Sequence, residues 1–215
     1  MGQLRGAVIP VTPLQQNCTL LWDDVSRRAA VVDPGGDVDS ILAAIEQAGL
    51  SVERIWLTHG HLDHAGGADE LREQLNGVPI EGPGQRDQFL LQALEEQART
   101  FGISVRNVAP DRWLQDGDAV TLGVHRFDVL HCPGHTPGHV VFVNHAAGLA
   151  LVGDVLFRGS IGRTDFPYGD HQALIRAITE KLLPLGDDYA FLCGHGPGST
   201  IGAERRGNPF LGARA

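Results

Sequence analysis

Ile55-Trp56-Leu57-Thr58-His59-Gly60-His61-Leu62-Asp63-His64 sets three apolar residues directly before four side chains that can bind metal. The apolar trio predicts a short buried strand, with the His cluster leaving its C-terminal end. Imidazole nitrogen and carboxylate oxygen suit hard or borderline divalent ions, and a catalytic site keeps one position open for water. Alternate residues on a chain leaving a strand can point the same way, so His59 and His61 can share one ion. The next turn then carries Asp63 and His64 toward a second ion nearby. Four polar groups packed in a core without such a partner would be costly.

On the N-terminal side, residues 18–22 and 29–32 read as strands, with Trp22-Asp23-Asp24 opening the turn between them and Asp33-Pro34-Gly35-Gly36 stopping the second. Val38, Ile41, Leu42, Ile45 and Ala48 recur at helical spacing, and Gly49 ends the run. Past the cluster come a helix from about 65 to 75 and a strand over 78–80, a β-α-β-α-β alternation that implies helices packed on a sheet. Residues 85–102 (Phe89, Leu90, Leu94, Ala98, Phe101) read as helical and interrupt the strand rhythm, as a cover over a site would. Strands follow at 119–122, 126–130, 140–143 and 149–152, then a helix over 171–183 and a strand at 189–192. This pattern predicts two sheets face to face with helices outside. The Gly- and Arg-rich tail after Ile201 reads as a surface segment.

The chain's 215 residues suit one domain spanning 1–215. A formal net charge of −9 argues against nucleic acid or an anionic membrane as partner, although bound divalent ions would make a site locally positive. Cys18, Cys132 and Cys193 are odd in number and form no CxxC pair, which fits a reducing cytoplasm. Met1 to Gly6 carries no signal-peptide pattern, and no apolar run reaches membrane-spanning length.

Three further segments carry ligand chemistry. His131-Cys132-Pro133-Gly134-His135-Thr136-Pro137-Gly138-His139 is a rigid Gly/Pro-rich loop between strands, Gly153-Asp154 closes one strand, and Gly194-His195-Gly196 closes another. A single loop His or strand-end Asp is ordinary; four such elements on strand ends in one chain imply a metal centre.

In this order these elements resemble the metallo-β-lactamase superfamily. The resemblance implies an α+β fold, a four-layer αβ/βα sandwich of two mostly antiparallel mixed sheets with outer helices. It also implies two divalent metal ions, zinc first, with iron or manganese compatible. His59, His61 and His135 would hold one ion, Asp63, His64 and His195 the other, with Asp154 bridging both. Asp63 and Asp154 are the carboxylates expected at the reacting centre. Asp33 would support the ligands from behind, and His139 would supply hydrogen-bonding support. Zinc β-lactamases typically carry Cys or Ser where Asp154 stands, which turns the reading away from antibiotics.

Residues 153–166 (Gly153-Asp154-Val155-Leu156-Phe157-Arg158-Gly159-Ser160-Ile161-Gly162-Arg163-Thr164-Asp165-Phe166) resemble the glyoxalase II branch, the hydroxyacylglutathione hydrolases. Gly194-His195-Gly196-Pro197 and Asn208-Pro209-Phe210 resemble its short bacterial members, without the C-terminal helical domain that grips glutathione in longer ones. The implied reaction is hydrolysis of a small-molecule acyl-thiol, such as S-D-lactoylglutathione, by a metal-bridging hydroxide. Arg163 and Tyr168 are candidates for the substrate pocket; for Arg163 the competing role is a salt bridge with Asp165 or Asp170. Rival readings are a persulfide dioxygenase using one Fe(II) on His59, His135 and Asp154, a lactone hydrolase, and a metal-binding module without activity. Oligomeric state is left open.

Overall fold

Side chains on β-strands alternate between faces, and here both faces of the central strands are buried. The computed structural model describes residues 2–100 and 102–212. β1 (Leu4–Val11), β2 (Gln16–Asp23), β3 (Arg28–Val32), β4 (Ser51–Trp56) and β5 (Ile80–Glu81) form the first sheet in that order. β1–β2 and β2–β3 pair antiparallel, while β3–β4 and β4–β5 pair parallel. The second half supplies β6 (Ala119–Leu122), β7 (His125–His131), β8 (Val140–Asn144), β9 (Leu149–Gly153), a small β10 (Leu156–Phe157)/β11 (Ser160–Ile161) hairpin, β12 (Ala190–Cys193) and β13 (Ser199–Thr200). The second sheet runs β13-β12-β9-β8-β7-β6, antiparallel except where β12 lies parallel to β9.

Three apolar clusters fill the spaces between four layers. Between the sheets, Leu21, Ala30, Val32 and Trp56 meet Phe127, Val129, Phe142 and Leu151. Trp56 packs edge-on against Phe127 and stacks on Phe142, with centroids 5.1 and 5.4 Å away. The alternate residues Ala29 and Val31 face outward, onto Val38, Ile41 and Ile45 of helix α1 (Val38–Gln47). On the far side, Val141, Val143, Ala150 and Val152 face Leu174, Ala177 and Ile178. The expected four-layer sandwich is the observed one.

Several boundaries differ from expectation. The helix expected over 65–75 is two helices, α2 (Leu62–Ala65) and α3 (Ala68–Gln74), parted at Gly66-Gly67. Glycine is a poor helix former, and Gly67 instead donates its N–H to the Pro34 carbonyl at 2.9 Å. The break leaves Asp63 and His64 on a one-turn helix of their own. Residues 85–102 fold as a 3₁₀ turn (Gln85–Asp87), α4 (Gln88–Leu91) and α5 (Leu94–Thr100); Phe101 lies outside the described residues. The helix expected over 171–183 is α6 (His171–Ala177), continued by a π turn and a 3₁₀ turn.

The tail lies largely at the surface, as expected, but it is helical and anchored by buried residues. Ile201–Gly207 form α7, whose Ile201 and Glu204 are buried, as is Asn208 beyond it. Thr200 caps the helix by accepting the Ala203 N–H. Residues 213–215 and Met1 lie outside the described residues. β1 went unforeseen because it is a largely exposed edge strand without apolar alternation, and it tolerates Pro10 for the same reason. Among the described residues no helix is long and apolar enough to cross a membrane.

The parallel pairs position the site. Val32 pairs with Trp56 and Gly153 with Cys193, so β3 and β4 end flush, as do β9 and β12. Asp33, the His59–His64 segment, Asp154 and His195 therefore leave neighbouring strand ends. The two sheets are joined beside them by Asn17 N–H to the Gly194 carbonyl (2.7 Å) and Val140 N–H to the Thr58 carbonyl (2.8 Å).

Candidate metal centre

His59 is fully buried at the end of the β4 segment and His135 nearly so on the β7–β8 loop. Their Nε2 atoms each lie 3.0 Å from Nδ1 of His61. The outer nitrogens fix which way the inner ones face. His135 Nδ1 donates to the Arg163 carbonyl at 2.8 Å, so its Nε2 presents a lone pair. Thr58 Oγ1 gives its proton to Asp33 Oδ2 (2.6 Å) and accepts from His59 Nδ1 (3.0 Å), so His59 Nε2 also presents a lone pair. His61, bound through Nε2 to the Tyr168 hydroxyl at 2.9 Å, can give a proton to one of these lone pairs but not to both. A cation satisfies all three nitrogens at once. Burial depresses these rings: His59 falls well below the ordinary histidine value, His61 to about 3, and His135 also falls.

A second group adjoins the first. Asp63, His64 and His195 bring one donor atom each within 4.8 Å of one another. His195 Nε2 lies 3.2 Å from Asp63 Oδ2, and His64 Nε2 lies 4.0 Å from the same oxygen. Here carboxylates outweigh burial. Burial works to lower His64, but Asp154 and Asp63 raise it well above its ordinary value, and the Asp63 hydrogen bond raises His195. This end of the site attracts positive charge, which protons supply when metal does not.

Asp154 lies between the groups. One oxygen is 3.4 Å from His64 Nε2; the other is 3.6 Å from His135 Nε2 and 3.7 Å from His195 Nε2. Burial would raise its carboxyl, but His64, His135 and His195 hold it below the usual carboxylate range. Asp154 Oδ1 and His64 Nε2 are buried and make no hydrogen bond. Orphaned buried polar atoms facing one another, each with a lone pair to offer, are costly as they stand and fit a shared cation. The residues present therefore suit two metal ions, with nitrogen and carboxylate donors that zinc, iron or manganese accept.

The supporting residues surround these groups. Asp33 accepts the Thr58 N–H (2.7 Å), the Thr58 hydroxyl and His64 Nδ1 (2.9 Å). A third potential metal-binding group, Asp33, His59 and His64, is thus already occupied by hydrogen bonds. His139 accepts the Asp154 N–H on Nε2 at 3.1 Å and stacks on His59. Tyr168 stacks on Phe166, which packs 5.0 Å from His61, and Phe89 meets Tyr168 edge-on. Arg163 lies over Phe166 and is exposed, held by both oxygens of Asp165 at 2.7 Å; Asp170 instead caps α6.

Asp87 was missed. It is fully buried beneath the site, yet in sequence it reads as an ordinary helix-start residue in Gln85-Arg86-Asp87-Gln88. Its partners lie 27 to 51 residues away, so no local signal marks it.

The metallo-beta-lactamase superfamily model matches residues 11–195, which include both groups and Asp154. The chain belongs to that superfamily. It is 49% identical to the hydroxyacylglutathione hydrolase GloC of Haemophilus influenzae over 97% of this chain and 98% of that one. Among solved structures, the BLEG-1 B3 metallo-beta-lactamase superposes with a TM-score of 0.89 at 36% identity, covering 97% of this chain and all of the other. TTHA1623 in a di-iron-bound form gives 0.85 at 37% identity, covering 95% of this chain and all of the other.

Proposed function

We propose that this protein hydrolyses thioesters of the hydroxyacylglutathione type at a pair of divalent metal ions. The observation that carries the reading is Asp154 standing between two three-residue ligand groups. The 49% identity to a hydroxyacylglutathione hydrolase supports the substrate class. His59, His61 and His135 would hold one ion, Asp63, His64 and His195 the other, and Asp154 both. Bound there, divalent ions supply a hydroxide near neutral pH, by lowering the pKa of water from 15.7 to about 7, and polarise a carbonyl.

The chain's own residues orient this chemistry. Asp33 takes the Nδ1 proton of His64 and so keeps its Nε2 free to coordinate. His139 holds the Asp154 backbone, and Asp63 and Asp154 bring negative charge to the centre. The Phe166, Tyr168 and Phe89 rings wall one side of it. Arg163 would turn from Asp165 to a substrate carboxylate, through paired hydrogen bonds. A thiol leaving group with a pKa of about 8.5 departs without a protonating side chain. Cys132 and Cys193, the cysteines beside the ligand loops, read as buried thiols rather than nucleophiles, since burial raises Cys132 to about 12 and Cys193 to about 11. One domain, working in the cytoplasm, completes the reading.

The test is a panel of acylglutathione thioesters, a lactone and a β-lactam with zinc-loaded protein, alongside oxygen uptake with glutathione persulfide in iron-loaded protein. Thioester cleavage far above a His59→Ala control is the expected result. Equal rates in the two proteins would sink the proposal. The β-lactam belongs in the panel because BLEG-1 carries that designation.

A further inference from the structure

Residues 84–90 fit against both loops that carry the first ligand group. Gly84 N–H bonds the Gly138 carbonyl at 2.8 Å. A Cβ on Gly138 would stand 2.6 Å from the Asp87 nitrogen, and one on Gly60 would stand 2.8 Å from Leu90 Cβ. Two glycines thus let this segment reach two loops at once. Asp87 fills the junction, fully buried, and both of its oxygens are used. Oδ2 accepts the Gly60 N–H at 3.0 Å and the Thr136 hydroxyl at 2.7 Å, and Oδ1 accepts the Gly138 N–H at 2.6 Å. Gly60 stands between His59 and His61, Thr136 follows His135, and Gly138 precedes His139.

We infer that Asp87 is a positioning residue for the metal centre, one that sets the spacing of His135 against His59 and His61 and so the metal affinity of that group. The inference rests on the two-metal reading above. It gives the 85–102 segment a role: the segment carries the clamp beneath the site as well as Phe89 at its edge. The second group is held otherwise. His64 is fixed by Asp33, Asp63 shares α2 with it, and His195 follows β12, so loosening the clamp should spare that group.

Asp87→Asn is nearly isosteric but cannot make the same bonds. In either orientation its NH₂ faces a backbone N–H, of Gly138 or of Gly60. Thr136→Val removes one bond and leaves the carboxylate in place. Metal-free wild type and both variants would be titrated with zinc, and separately with cobalt to read the visible absorption of each site. Wild type should take up two ions per chain. Asp87→Asn should bind one of them roughly 10- to 100-fold more weakly, with the other unchanged, and Thr136→Val should fall between. A general loss of folding would weaken both sites equally, so the selective loss is the signature. Two wild-type-like affinities in Asp87→Asn, or equal weakening of both, would overturn the inference while leaving the two-metal reading intact. A wild type that binds no metal would overturn both.

Discussion

Asp33 controls the direction in which His64 presents its lone pair. With both oxygens committed to Thr58 and one also to His64 Nδ1, the imidazole proton stays on the side away from the ligand groups. Asp33→Asn would turn an NH₂ toward either the Thr58 N–H or His64. Turned toward His64, the amide would favour a proton on Nε2, the nitrogen that faces Asp63 and Asp154; turned toward Thr58, it would set two N–H groups against each other. Metal affinity at the Asp63, His64 and His195 group should fall roughly 10- to 100-fold, read by metal titration. Arg163 gives the contrasting case. Its exposed pair with Asp165 contributes little to stability, since solvent screens a surface ion pair and holding it costs side-chain entropy. Arg163→Ala should therefore leave the melting temperature unchanged and raise KM for substrates with a carboxylate on the thiol, with kcat preserved. An unchanged KM would leave Arg163 with no role beyond its salt bridge.

Among the elements, α7 locks the Asp154–Phe166 segment from outside. Its buried Glu204 accepts from Gly159 N–H (2.7 Å), Ser199 Oγ (2.5 Å) and Asn208 Nδ2 (2.9 Å). Asn208 in turn donates to the Ser160 carbonyl at 2.9 Å. The helix thereby holds the β10–β11 hairpin that follows Asp154. Glu204→Ala leaves the buried Asn208 amide and two partly buried donors without this partner and should cost about 2 kcal/mol in chemical denaturation. A cost under about 0.5 kcal/mol would mean that water replaces the carboxylate. The tail's Gly and Arg content conceals this element, because a helix with one buried glutamate shows no apolar periodicity. The strands at 29–32, 140–143 and 149–152, by contrast, were legible as apolar runs because both of their faces are buried.

For the whole molecule, metal and proton compete for the same charges. Ligands that bind only the folded state stabilise it by about 2.7 kcal/mol at a concentration 100 times Kd. In a chain of this size, chelation should lower the melting temperature by roughly 5–10 °C per site occupied at that level. The pH dependence has a defined sign. His64 and His195 are raised in the metal-free fold, so their protons contribute stability that is full below the unfolded value near 6.5 and is lost as pH rises through the raised values. Metal binding must displace those protons and weakens as pH falls. The melting-temperature gap between loaded and chelated protein should therefore narrow as pH falls through those raised values, beginning above pH 6.5. A gap constant from pH 5 to 8 would contradict the charge distribution described for the second group.

The sequence by itself determined the layer architecture and the candidate ligands. Strand burial is written as apolar runs, and ligand chemistry as His and Asp at strand ends. Both are local properties, legible within a few residues of His59, His135, Asp154 or His195. Only the tertiary structure decided which nitrogen each imidazole turns inward and that Arg163 pairs with Asp165. It alone also brought Asp87 beneath two loops and folded the tail into the wall behind Asp154. Those features depend on hydrogen bonds between residues far apart in the chain, and a buried carboxylate looks in sequence like an exposed one. The His59–His64 segment marks the centre; the bonds to Asp33, Asp87 and His139 aim it.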